Sequence, residues 1–154
     1  MYSQTSRRTI RAPRPAVFAA LLDPAAIEVW RVPDNMTARV EELEAKVGGR
    51  FRVTLTYLDD ESGKTGEHTD TYGGRFAEIV EDERVVEVIE FESEDAALAG
   101  EMTMTTTLRD VPDGTEVELR HDGIPDAVPP DQNETGTRMS LTKLASYVER
   151  GSAG

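Results

Sequence analysis

The chain has 154 residues, with 30 Asp and Glu against 17 Lys and Arg, a formal charge of −13, 38% hydrophobic residues and no Cys. This length suits a single domain over residues 1–154 with one core, and the acid excess disfavours nucleic acid and anionic membrane surfaces, which are bound through Lys and Arg. Without Cys there is no disulfide frame, thiolate nucleophile or thiolate metal site. No apolar run reaches the length of a membrane span. The opening stretch Met1 to Arg8 lacks the apolar segment of a signal peptide, so the expected location is the cytoplasm.

In chain order, Arg7 to Arg11 reads as a first strand ended by Pro13, which has no ladder donor. Pro15 suits a first helical turn, and Val17, Phe18, Leu21 and Leu22 form one apolar face. Asp23 can cap a second short helix with Pro24 at its first position, running towards Trp30. From residue 36 the apolar period becomes two. Strands are predicted at Arg39 to Val47, Arg50 to Leu58, Thr69 to Val80, Val85 to Glu92, Glu101 to Arg109 and Thr115 to His121, about seven with the first. Gly48-Gly49 turns the first hairpin, Asp59 to Gly66 forms a polar loop, and Gly73-Gly74 suggests a bulge or bend. In the second of these strands Phe51, Val53, Leu55 and Tyr57 share one face.

After His121 the strand pattern stops and a proline-rich loop leads to a final helix, with Asp131 as N-cap and Glu134 completing a capping box. Leu141, Leu144 and Val148 form an apolar stripe, and the same face becomes polar towards Thr137, Glu134 and Asn133. Such a change suits a helix that leaves a sheet and walls a cavity, or one whose first turns are solvated. Residues 151–154 read as a disordered tail.

The pieces Leu21-Leu22-Asp23-Pro24 to Trp30, Val47-Gly48-Gly49-Arg50-Phe51-Arg52, Gly74-Arg75-Phe76-Ala77-Glu78-Ile79, Leu119 to Pro125, and Gly136 with Ser140 to Ala145 and Tyr147-Val148 occur in that order. Together they resemble the activator of heat-shock-protein-90 ATPase homologue family of the START-like (SRPBCC) superfamily, over roughly residues 7 to 150. The resemblance implies an α+β helix-grip fold: a curved antiparallel sheet of about seven strands around a long C-terminal helix, with two short helices after the first strand and a cavity between sheet and helix. Relatives of this kind include ligand carriers, cyclases, dehydratases and a co-chaperone domain, so fold does not fix activity. Val29-Trp30 and Thr137 stand where many relatives carry bulkier aromatics, which leaves room in the cavity wall.

Trp30, Phe51, Tyr57, Tyr72, Met104, His121, Thr137 and Leu141 are the candidate ligand-binding residues, since aromatics with a polar edge and flexible Met suit an apolar ligand. His121 shares strand parity with Val117 and Leu119, which turns it inward near Asn133 or Glu134. His121 and Glu134 are therefore the candidates for acid and base work, against a purely structural role for each. His68 and Asp70 share a face but are too few for a metal site. No sequence motif points to a metal or a cofactor, and the glycine pairs lack the setting of a phosphate loop. Nine carboxylates between Glu78 and Asp95 face a single Arg84, and read as a solvated outer face or as a dock for a basic protein surface.

Three functions follow as expectations. The first is binding of a small hydrophobic or amphipathic molecule between sheet and C-terminal helix, by a monomer or dimer. The second is a co-chaperone-like interaction module acting through the acidic face. The third is a cyclase or dehydratase-type enzyme with His121 as base, a weaker expectation than binding.

Overall fold

A computed structural model describes residues 1–58, 69–92 and 100–153, the side chains of 151–153 excepted. The polar loop expected at 59–66, His68, Glu94, Asp95 and Gly154 lie outside the described residues. Strand β1 (Tyr2–Ile10) is followed by helices α1 (Arg14–Leu22) and α2 (Pro24–Trp30). Six strands come next: β2 (Met36–Leu43), β3 (Arg50–Tyr57), β4 (Thr69–Val80), β5 (Arg84–Phe91), β6 (Met102–Val111) and β7 (Gly114–Ile124). Helix α3 (Pro130–Ala153) ends the fold.

The strands form one antiparallel sheet in the order β1-β7-β6-β5-β4-β3-β2. Helices α1 and α2 carry the chain from the β1 edge to the opposite edge, and a meander of hairpins brings it back beside β1. The core lies between one face of this sheet and the helices. Phe76, Ile10, Val17, Val53, Val85, Val117, Leu141 and Leu144 are fully buried there, each contributing about 1.5–3 kcal/mol by leaving water. This is the helix-grip α+β architecture expected above.

Local chemistry explains most element boundaries. Asp23 accepts a hydrogen bond from the Ala25 amide (3.0 Å) and Pro24 occupies the first turn of α2, as the sequence predicts. Gly48 adopts φ 81° in the turn before β3, a conformation that suits a residue without Cβ. Several details differ from expectation. Strand β1 begins at Tyr2 and β7 runs on to Ile124 because the two extensions pair with each other, Tyr2 opposite Ile124, across a bulge that Gly123 at φ 72° accommodates. Strand β2 is shifted towards the N-terminus, to Met36–Leu43.

The register of β4 is regular through Gly73 and Gly74 and breaks instead between Phe76 and Glu78. Gly74 serves close approach rather than a bulge, since a Cβ there would run into the Val88 carbonyl of the neighbouring strand. Helix α3 starts at Pro130, with Asp131 inside its first turn, so Asp131 is not the N-cap. Glu134 pairs with Arg138 at 2.6 Å rather than closing a capping box. The helix continues through Ala153, into the stretch read as a tail.

Burial along α3 is graded. From Pro130 to Ser140 no residue is buried, whereas Leu141, Leu144, Ala145 and Val148 are. The C-terminal half closes the core and the N-terminal half stands half-buried over the far end of β1. Lys143 Nζ donates to the Val32 carbonyl (2.6 Å) and pairs with Asp34 (2.8 Å), tying α3 to the segment after α2.

Candidate functional site

Alternation along the strands puts a polar row across an otherwise apolar inner face. On β5, Val85, Glu87 and Ile89 are buried while Glu90 is exposed, so Glu87 points inward with the core residues. The register then sets Glu87 opposite Met104, Met104 opposite His121 and His121 opposite Gln4. Directly paired residues lie about 4.5–5.5 Å apart at Cα. The Gln4 carboxamide ends the row by accepting from Asn133 Nδ2 (2.6 Å) and donating to the Pro130 carbonyl (2.7 Å), which joins it to the start of α3.

Arg31 reaches onto this row from above. It is the C-cap of α2, where φ −95° and ψ 48° end the helix, and its side chain turns towards the sheet. Its Nη1 donates to Glu87 Oε1 at 2.7 Å, its Nη2 lies 3.4 Å from Met104 Sδ, and its Cζ stands 5.2 Å from the centroid of the Tyr72 ring. The two side chains of this ion pair are only 11% and 8% exposed. Burial by itself would lower the Arg31 pKa, but the adjacent Glu87 carboxylate outweighs it and holds the guanidinium firmly protonated.

Two polar atoms beside this pair are buried with hydrogen-bonding capacity to spare: His121 Nδ1, which has no partner among the described residues, and Tyr72 Oη, which faces the Arg31 guanidinium but whose own proton no described group accepts. Buried polar groups are nearly always paired, because leaving one unpaired costs about 1–3 kcal/mol. Burial raises the Tyr72 pKa, so the phenol stays protonated. Burial and then the Arg31 charge push His121 down to about 4, so its ring is neutral near pH 7. The row thus presents one cation, one anion and two neutral groups with free hydrogen-bonding capacity.

Of the residues the sequence singled out, Tyr72, Met104 and His121 surround Arg31. Phe51 packs edge-on against Tyr72, with ring centroids 6.4 Å apart, and tilted against Phe76 at 5.1 Å. The others spend their polar atoms elsewhere. Trp30 Nε1 donates to the Ala20 carbonyl (2.9 Å), fixing α2 on α1; Tyr57 Oη donates to Asp70 (3.1 Å); Thr137 Oγ1 donates to the Asn133 carbonyl (2.9 Å) within α3. Leu141 is a core residue, 2% exposed. His121 meets Asn133 only through Gln4, and the Glu134 carboxylate is half-exposed against Arg138.

Arg31 and Glu87 escaped the sequence reading. Glu87 was counted with the outer acidic face, but its parity with Val85 and Ile89 turns it inward. On the outside, Glu78 and Glu92 pair with Arg84 and Arg52. Among the described residues no group of three His, Asp or Glu side chains could hold a metal ion, and no helix is long and apolar enough to cross a membrane.

Known proteins share this fold. The family model described as activator of Hsp90 ATPase homolog 1-like protein matches residues 11–149. A crystal structure of a Chromobacterium violaceum protein is 33% identical, covers 96% of each chain and superposes with a TM-score of 0.85. At lower identity, where likeness shows the fold alone, an AHSA1-like protein from Aeromonas hydrophila is 20% identical over 99% of this chain and 96% of its own, with a TM-score of 0.77. An Arthrobacter aurescens protein is 18% identical over 96% and 86%, at 0.82. No curated protein matches the chain. With the family model spanning nearly the whole fold and a relative of one-third identity along its full length, the chain belongs to the activator of Hsp90 ATPase homolog 1-like family of the SRPBCC superfamily.

Proposed function

We propose that this protein binds a small apolar or amphipathic molecule between the inner face of the sheet and α3. Proteins of this fold generally bind hydrophobic ligands. The observation that carries the reading here is the pair of buried polar groups with capacity to spare, the Tyr72 phenol and His121 Nδ1, set in a wall otherwise built from Phe51, Met104 and Phe76. An apolar wall supplies the affinity of such a site, and a few buried polar atoms fix orientation. In this reading the ligand enters beside the N-terminal half of α3, where no residue from Pro130 to Ser140 is buried.

Native mass spectrometry of the protein purified from its own cells tests this reading. A retained small molecule, released by Tyr72→Phe with His121→Phe, is the expected result. A protein that carries no adduct and whose unfolding temperature is unmoved by small aromatic probes would overturn it.

A further inference from the structure

We propose that the polar end of the bound molecule is uncharged, a hydroxyl or carbonyl group that pairs with Tyr72 Oη or His121 Nδ1 while Arg31 and Glu87 cancel each other's charge beside it. This deepens the binding reading above and rests on it. Arg31 and Glu87 are both buried and 2.7 Å apart, so together they present a dipole rather than a net charge. A carboxylate entering here must compete with Glu87 for the guanidinium and bring a second anion into the same dry space. An ammonium group meets the same obstacle from Arg31.

The side chains beside the pair are neutral, and the buried Asp70, two residues from Tyr72 on β4, already accepts a hydrogen bond from Tyr57 Oη at 3.1 Å. Tyr72 is a neutral phenol under the guanidinium, and His121, pushed down to about 4 chiefly by burial, adds no positive charge near pH 7. Their free atoms are suited to neutral partners. A hydroxyl can accept from the Tyr72 phenol and can donate to or accept from an imidazole nitrogen, whichever nitrogen carries the proton; a carbonyl can accept from the phenol, and from Nδ1 in the tautomer that carries its proton there. Gln4 and Asn133, the remaining polar side chains at the end of the row, are spent on each other and on α3.

Three probes on one skeleton separate the possibilities: 2-naphthol, 2-naphthoate and naphthalene, titrated into the whole protein at pH 7 and followed by calorimetry. We expect 2-naphthol to bind about tenfold more tightly than naphthalene, the worth of one buried hydrogen bond, and 2-naphthoate at least about a hundredfold more weakly than 2-naphthol. In the Tyr72→Phe/His121→Phe double variant, 2-naphthol should fall to the affinity of naphthalene. In Glu87→Gln, where the Arg31 charge is no longer cancelled, 2-naphthoate should become the preferred probe.

Tighter binding of 2-naphthoate than of 2-naphthol to the unaltered protein, or equal binding of 2-naphthol and naphthalene, would overturn the inference and leave the binding reading standing. Binding of none of the three would overturn both. The comparison among probes on the unaltered protein decides the matter even where a variant fails to fold.

Discussion

Arg31–Glu87 and Arg52–Glu92 join the same two groups at nearly the same distance, 2.7 and 2.6 Å, on opposite faces of one sheet. The outer pair is 46% exposed on each side and bidentate, and it belongs to a set with Arg84–Glu78 and Arg75–Glu101 that decorates β3, β4 and β5. The inner pair is withdrawn from water and flanked by the Tyr72 phenol and the buried His121 Nδ1. Exposed pairs add little, since water and salt screen them. A buried pair gains stability only if its attraction exceeds the cost of desolvating both ions, and apolar replacements often do as well. Burial of the inner pair is therefore weak evidence that it stabilises the fold.

The sharpest way to break this contrast is to remove one partner on each face. Glu87→Ala leaves the Arg31 charge buried and alone, and should cost about 3–5 kcal/mol in urea unfolding. A loss as small as that of a rim pair would place the inner pair in the rim class. Acid offers a second handle. His121 has a folded pKa near 4 against an ordinary 6.5, so on acidification the unfolded chain takes up this proton first. The stability held by the neutral ring is complete above pH 6.5 and is lost as the pH falls to about 4, on the order of 3 kcal/mol. Against the background of other titrating carboxylates, His121→Gln should shrink the difference between urea midpoints at pH 7 and pH 4.5; an unchanged difference would show that the ring is not held neutral by its surroundings.

Replacing both inner ions together, Arg31→Met with Glu87→Leu, should leave a protein at least as stable as the original by thermal unfolding, because no charge then remains to desolvate. A large loss there would mean that the pair is needed for folding itself. The smallest effects belong outside. Arg52→Ala and Arg84→Ala should each cost under about 1 kcal/mol, and less still in high salt.

Much of this molecule was legible in its residues. Period-two runs marked the strands from Arg50 onwards, Asp23-Pro24 marked the start of α2, and the parity of His121 with Val117 and Leu119 turned it inward. What escaped was long-range. Residues 2–6 carry no apolar alternation, and they become strand because β7 offers them a partner. Glu87 was misplaced because a run of acids reads by composition as a surface, while its parity with Val85 and Ile89 assigns it to the core side. Arg31 had no local signal at all, being one arginine just past a seven-residue helix.

The sequence by itself determined the order of elements, a strongly acidic net charge and the side chains available to the interior, because propensity, alternation and capping act over a few residues. Only the tertiary structure decided which of those side chains meet. Register set Glu87, Met104, His121 and Gln4 in one row, and the end of α2 delivered Arg31 onto it from 56 positions away in the chain. Pairing across strands and packing of a helix end on a sheet are properties of the closed fold, and burial follows from closure alone. That is why a formal charge of −13, a surface property by every local sign, still leaves carboxylates inside, Asp70 and Glu87 among the described residues.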